Sequence, residues 1–208
     1  MRVFRTVEEL EEYLKQNNIV YKRIVPNEEY FWVEGEKRIM KFYKPRPAHL
    51  VLSVMRNNYF PGRYLRLIET KTIKLNHPAM EAVKVLKGRG ALLEGPTGTG
   101  KTTACVWKIF QYTRLLICKA PMYIPCMGPN TLAELYQDIQ DADCYLLDDL
   151  NPITLERQQF RHFVYDVVYH AYERNKKLFI TTNSKLDKFL EEPALRRISE
   201  MCVRVVVK

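Results

Sequence analysis

Gly95-Pro96-Thr97-Gly98-Thr99-Gly100-Lys101-Thr102 has the spacing G-x-x-x-x-G-K-[ST] of a phosphate-binding P-loop. Glycines let the chain turn so that backbone N–H groups converge on an anion, and the N-terminus of a following helix adds its dipole. The flanking residues meet both requirements. Ala91 to Glu94 is a short apolar run that reads as a buried strand, and Thr103 to Tyr112 carries apolar residues at helical spacing. In such a loop Lys101 reaches the β- and γ-phosphates of ATP, and the Thr102 hydroxyl holds Mg²⁺. The residues expected around the nucleotide are Gly95, Pro96, Thr97, Gly98, Thr99, Gly100, Lys101, Thr102 and Thr103.

A second stretch could share that chemistry. Cys144-Tyr145-Leu146-Leu147-Asp148-Asp149 is an apolar run ending in paired carboxylates, the pattern of a Walker B strand. The first acid of such a pair supports Mg²⁺, and the second orients or deprotonates an attacking water. Asp148 is therefore expected on the metal side and Asp149 on the water side. Two exposed acids at a strand-to-loop turn is the plainer alternative, and the P-loop upstream argues against it. Leu178 to Asn183 is a further buried strand whose terminal Asn183 could hold the water or the γ-phosphate, or simply cap the turn.

The elements that must position these groups can be read around them. Thr6 to Gln16 reads as a helix, with Thr6 and Glu9 forming a capping box. Tyr30 to Val33 and Arg38 to Tyr43 read as two strands around Glu34-Gly35-Glu36. His49 to Asn57 reads as a short helix, and Asn57 to Gly62 as a break. A small module over residues 1–58 follows, with the nucleotide-binding core over 59–208. In the core, Asn76 to Leu86 reads as a helix with Pro78 in its first turn. Leu115 to Cys118 reads as a buried strand, and Ala120 to Pro129, with three prolines, as an irregular loop. Thr131 to Ile139 and Gln158 to Arg174 read as helices, and Val203 to Val207 as a last strand.

Composition limits the partners. Of 208 residues, 47% are hydrophobic, enough for a sizeable core. No apolar run approaches the roughly 18 residues of a membrane span. The acidic, amphipathic N-terminus is unlike a signal peptide. A soluble cytoplasmic protein without membrane association is expected. The five cysteines are odd in number and form no C-x-x-C, so free buried thiols are expected. The four histidines show no ligand spacing. Net charge is +9, and residues 37–74 hold ten Lys and Arg against one acid, Glu69. This asymmetry suits a phosphate-rich partner. Phe42, Tyr43, Tyr59, Phe60 and Tyr64 lie among these charges, a mixture that suits single-stranded nucleic acid and equally suits a packed core under a solvated basic face.

The order P-loop, paired acids, strand-end Asn, Arg pair resembles the AAA+ ATPases, and within them the DnaC/DnaI/IstB group of bacterial helicase loaders and transposition ATPases. Phe60-Pro61-Gly62-Arg63-Tyr64 is similar to the Pro-x-Arg-Tyr/Phe stretch before that group's ATPase core. Leu146 to Leu150 matches its Asp-Asp Walker B form, and Tyr165 to Asn183 its long helix and Ile-Thr-Ser/Thr-Asn strand. The resemblance spans residues 58–208. It implies an α/β fold, a P-loop AAA+ core with a five-stranded parallel sheet in the order 5-1-4-3-2 and no C-terminal lid, preceded by a small α+β module. It implies Asn183 as sensor and Arg197, in preference to Arg196, as an arginine that reaches a neighbouring subunit's nucleotide. It implies a homo-oligomer formed on ATP binding, with DNA and a replicative helicase as partners. Two features depart from the group. Leu150-Asn151 stands where Leu or Ile and then Gly is usual, and the segment before the Walker B strand is short where loaders and initiators carry an extra helical element.

Three functions stay open on sequence. One is an ATP-hydrolysing, helicase loader-like switch, and another is an IstB-type transposition ATPase. The third is a nucleotide-binding module with negligible turnover, since Asp149 stands where Glu is more usual. A small-molecule kinase is disfavoured because no Arg-rich lid follows the core.

Overall fold

The computed structural model describes residues 2–27, 29–36, 38–75, 77–86, 88–126, 136 and 138–208. The chain begins with α1 (Val7–Gln16) and the strands β1 (Tyr21–Pro26), β2 (Tyr30–Gly35) and β3 (Ile39–Tyr43), which form an antiparallel three-stranded sheet in the order β1-β2-β3. Thr6 Oγ1 accepts from Glu9 N at 3.2 Å as expected of an N-cap, while Glu9 Oε2 reaches back to Arg5 N at 2.7 Å rather than to Thr6. Strand alternation puts Phe31 and Val33 on the face covered by α1, where they pack with Phe4, Leu10 and Leu14. Strand β1 escapes the sequence reading because its burial does not alternate and its register slips between Tyr21 and Arg23.

Three helices lead into the second layer system: α2 (Ala48–Asn57), α3 (Gly62–Glu69) and α4 (Pro78–Lys84). Then β4 (Gly90–Glu94) runs into α5 (Lys101–Arg114), followed by β5 (Pro121–Pro125), β6 (Cys144–Asp148), α6 (Pro152–Leu155), α7 (Gln158–Glu173), β7 (Lys177–Thr182), α8 (Glu192–Met201) and β8 (Cys202–Val206). The strands form one parallel sheet in the order β5-β6-β7-β4-β8. Counted within the core this is the expected 5-1-4-3-2, read from the other edge. All five residues of β4 and of β6 are buried, as central strands of a parallel sheet covered on both faces should be. Ala91, Leu93 and Leu146 face a core built with α2, α4 and α5, while Leu92, Tyr145 and Leu147 face one built with α7 and α8.

Two assignments in the sequence reading are corrected here. Leu115 to Cys118 is not a strand. It is the turn that closes α5, with Leu116 at φ 58° and Ile117 N donating to Tyr112 O at 2.8 Å. The strand lies a few residues later, at Pro121–Pro125, inside the stretch read as irregular. Its prolines are tolerated because β5 is the edge of the sheet, where only one side needs donors. The helix expected over Thr131 to Ile139 lies almost wholly outside the described residues.

All five cysteines are free and buried. Among the described residues no helix is long and apolar enough to cross a membrane.

Candidate nucleotide site

The P-loop leaves the carboxyl end of β4, at the point where neighbouring strands β7 and β8 flank it. Glu94, the last residue of β4, is 5% exposed at its side chain and takes hydrogen bonds from Arg204 Nε and Nη2 at 2.9 and 3.0 Å. This pair ties β4 to β8 just below the loop. At Gly95 a Cβ would fall 2.1 Å from Val207 O, so only glycine admits the tail of β8. Gly100 adopts φ 73°, a left-handed conformation favourable to glycine, and caps α5. The N–H groups of Lys101, Thr102 and Thr103 open α5 and so have no partner inside the helix. These are the donors that the motif expects to cradle an anion.

Lys101 Nζ donates to Gly95 O at 2.8 Å, Pro96 O at 2.7 Å and Thr99 Oγ1 at 3.3 Å. Burial pulls its pKa below the usual lysine value, and the charges of Asp149 and Asp148 oppose that shift. Thr102 Oγ1 donates to Asp148 Oδ1 at 2.6 Å. The structure therefore joins the two residues assigned to the metal side, and their oxygens suit a hard cation such as Mg²⁺.

Asp148 has two further hydroxyl partners that the sequence reading did not single out. Thr181 Oγ1 donates to Oδ1 and Tyr123 Oη to Oδ2, each at 2.6 Å. Burial first, and then Asp148, pushes the Tyr123 hydroxyl well above its ordinary pKa, so it remains a donor. Thr181 also accepts from Asp149 N at 2.8 Å, and Leu150 N donates to Thr181 O at the same distance. These bonds hold Asp149 at φ 58°, a left-handed conformation that Asp tolerates better than most residues. The departure Leu150-Asn151 has a local explanation. Asn151 Oδ1 accepts from Thr154 N at 3.1 Å and caps α6.

The cradle opens into a cavity of about 530 Å³ lined by the loop, Tyr123, Asp148, Asp149 and Thr181. Arg63 and Tyr64 close it from α3, with Arg63 Nη2 donating to Tyr64 Oη at 2.8 Å. The sequence reading quoted both in a motif without assigning them to the site.

Four expected residues stand outside the lining: Gly95 and Pro96 at the start of the loop, and Asn183 and Arg197 farther off. Asn183 follows Thr182, the register partner of Glu94, so its backbone lies beside the loop; its side chain is exposed and accepts from Ser184 Oγ at 3.2 Å. Arg197 sits on α8, stacked 4.0 Å from the Tyr169 ring centroid, with Nη1 donating to Pro193 O at 2.9 Å. Arg196 pairs with Glu200 at 3.4 Å on the surface. Of the aromatics placed among the basic residues, Phe60 is in the main core and Phe42 packs against the module core. Tyr59 Oη donates to Asp138 Oδ2 at 2.7 Å.

The strand order, with the P-loop sequence between a central strand and its helix, is an α/β fold consistent with a P-loop AAA+ core. Similar solved structures include a protein described as a candidate primosome component from Streptococcus pyogenes serotype M3. It is 14% identical, with 72% of this chain and 90% of that chain covered and a TM-score of 0.53. DnaI is 19% identical over 72% of this chain and 92% of that one, with a TM-score of 0.47. The DnaC helicase loader is 18% identical over 62% and 86%, with a TM-score of 0.47. Neither a protein-family model nor a curated protein matches the chain.

Proposed function

We propose that this chain is an ATP-dependent, DNA-associated switch of the helicase-loader kind. The observation that carries the reading is the 2.6 Å hydrogen bond from Thr102, on the P-loop helix, to Asp148, at the end of the neighbouring acidic strand. Those two side chains come from separate motifs, and nothing short of the tertiary fold brings them together. The triphosphate would lie on the N–H groups of Thr97 to Thr103, with Lys101 exchanging the loop carbonyls for phosphate oxygens. Mg²⁺ held by Thr102 and Asp148 would supply charge neutralisation at the β- and γ-phosphates. Asp149, held on the cavity wall through its backbone bond to Thr181, would orient and deprotonate the attacking water. Asn183 would turn inward to the γ-phosphate. Arg197, or its exposed neighbour Arg196, would act on the nucleotide of an adjacent copy, which makes turnover depend on assembly. A replicative helicase and single-stranded DNA would be the partners.

We also propose a domain boundary near Pro45–Pro47 in preference to residue 58. Val51, Leu52 and Met55 of α2 pack in the core that also holds Leu93 and Ile109.

The outward side chain of Asn183 favours a second reading, a nucleotide-binding module with negligible turnover. Asp149→Asn separates the two. ATP hydrolysis should fall by about 10²- to 10⁴-fold while ATP binding persists, the usual range for losing a general base. Hydrolysis should also rise more than linearly with protein concentration. An unchanged, low rate in the variant would favour the binding module.

A further inference from the structure

The outer face of the module sheet is built unlike the inner one. Alternation along β2 and β3 turns Tyr30, Trp32, Lys41 and Tyr43 away from the α1 side. Tyr30 pairs with Tyr43 and Trp32 with Lys41 across the strands. The Tyr30 and Tyr43 rings lie 5.1 Å apart and the Tyr30 and Trp32 rings 6.1 Å apart. Lys41 Nζ rests 3.4 Å from the Tyr30 centroid, and Trp32 is 36% exposed. Scattered surface aromatics need no explanation, but three adjoining ones around a lysine form a patch.

The patch continues into a cleft of about 610 Å³ between the module and the core. Tyr30 and Tyr43 line its near side, and Lys44, Arg46 and Lys119 bring positive charge to it. Among the described residues two acids stand close by. Glu34 is engaged by Arg23 at 2.7 Å, and Glu29 is on the cleft wall. Positive charge prevails, so the fitting partner is anionic. An acidic peptide would use the lysines and leave the rings idle, and a duplex keeps its bases stacked on one another. A single strand uses both features, its bases on the rings and its phosphates along the basic cleft.

We propose that the outer face of β2 and β3, with the adjoining cleft, is a binding site for single-stranded DNA, in which bases stack on Trp32, Tyr30 and Tyr43 and phosphates meet Lys41, Lys44, Arg46 and Lys119. The proposal deepens the DNA part of the function proposed above and stands apart from its ATP part. The contact of Lys41 with Tyr30 is the weaker of the competing interactions, so a base displaces it and Lys41 turns to the backbone.

The test is fluorescence anisotropy of a labelled oligothymidylate with the full chain, without nucleotide. Trp32→Ala should weaken binding about 5- to 150-fold, the span measured for one stacked base, and Trp32→Phe should restore most of it. Lys41→Gln should lower the slope of log affinity against log salt by about 0.7, one phosphate contact on a single strand. In a Trp107→Phe background the oligonucleotide should quench the remaining Trp32 emission. Loss of ATP binding with DNA binding intact in the unmutated chain would count against the ATPase alone. Oligothymidylate binding indifferent to Trp32→Ala and to a Tyr30→Ala, Tyr43→Ala double variant, with no quenching, would overturn the site. Duplex of the same length binding as tightly as the single strand, with the same sensitivity to Trp32→Ala, would overturn it too.

Discussion

Asp148 is the residue on which the site converges. Three hydroxyls, from Thr102, Thr181 and Tyr123, donate to its two oxygens, and it is 6% exposed. A buried carboxylate of this kind is tolerable because its lone pairs are met by donors. Thr181 does double service, since its oxygen also accepts from Asp149 N. Thr181→Val keeps the shape and removes both bonds. We expect it to destabilise the chain by about 1–3 kcal/mol, the cost of leaving buried polar groups unpaired, measured as a shift in the urea midpoint. We expect ATP turnover to fall by about tenfold to a hundredfold, because Asp149 loses the bond that sets its position, with affinity for ATP little changed. The P-loop and the paired acids were legible because each occupies a short run with fixed spacing. Thr181 was not, since only the pairing of β6 with β7 brings it beside Asp148. Arg63 and Tyr64 were visible as a motif, but their approach to the cavity depends on how α3 packs.

The elements around the loop are fixed by polar bonds as well as by packing. Tyr112 on α5 shows this. Its hydroxyl donates to Leu86 O at 2.9 Å and Arg89 O at 3.1 Å and accepts from Gly88 N at 3.0 Å, tying α5 to the turn that feeds β4. Burial pushes its pKa from 10.0 up to about 12. Above pH 10 the unfolded chain releases this proton while the folded one keeps it, so stability is full below pH 10 and falls as pH rises towards about 12. Tyr112→Phe should therefore lower stability at neutral pH and flatten part of the alkaline decline, read from urea midpoints across that range. A decline of the same steepness in the variant would show that Tyr112 does not carry it. At this scale sequence reading succeeded with α5, α7 and β4, whose apolar periodicity is long or whose apolar run is unbroken. It failed at β5, where prolines at an edge mimic a loop, and at β1, where a register slip erases the alternation.

Two assemblies of different character meet in the whole molecule. The larger has a parallel sheet with a core on each face, and the smaller has one helix on one face of an antiparallel sheet. A backbone bond joins them: Arg46 N donates to Arg114 O at 2.8 Å at the end of α5, the helix that begins at Lys101. The P-loop and the basic cleft thus lie at opposite ends of one helix. The expected sheet order followed from resemblance and was met in full, whereas the open face of the module sheet was not foreseen. The most direct measurement is calorimetric titration of the purified chain with ATP and Mg²⁺, beside Lys101→Ala. The fold and site predict one binding event per chain that requires the cation and disappears in the variant. Binding that survives Lys101→Ala, or no binding by the unmutated chain, would contradict the assignment of the P-loop as a nucleotide site.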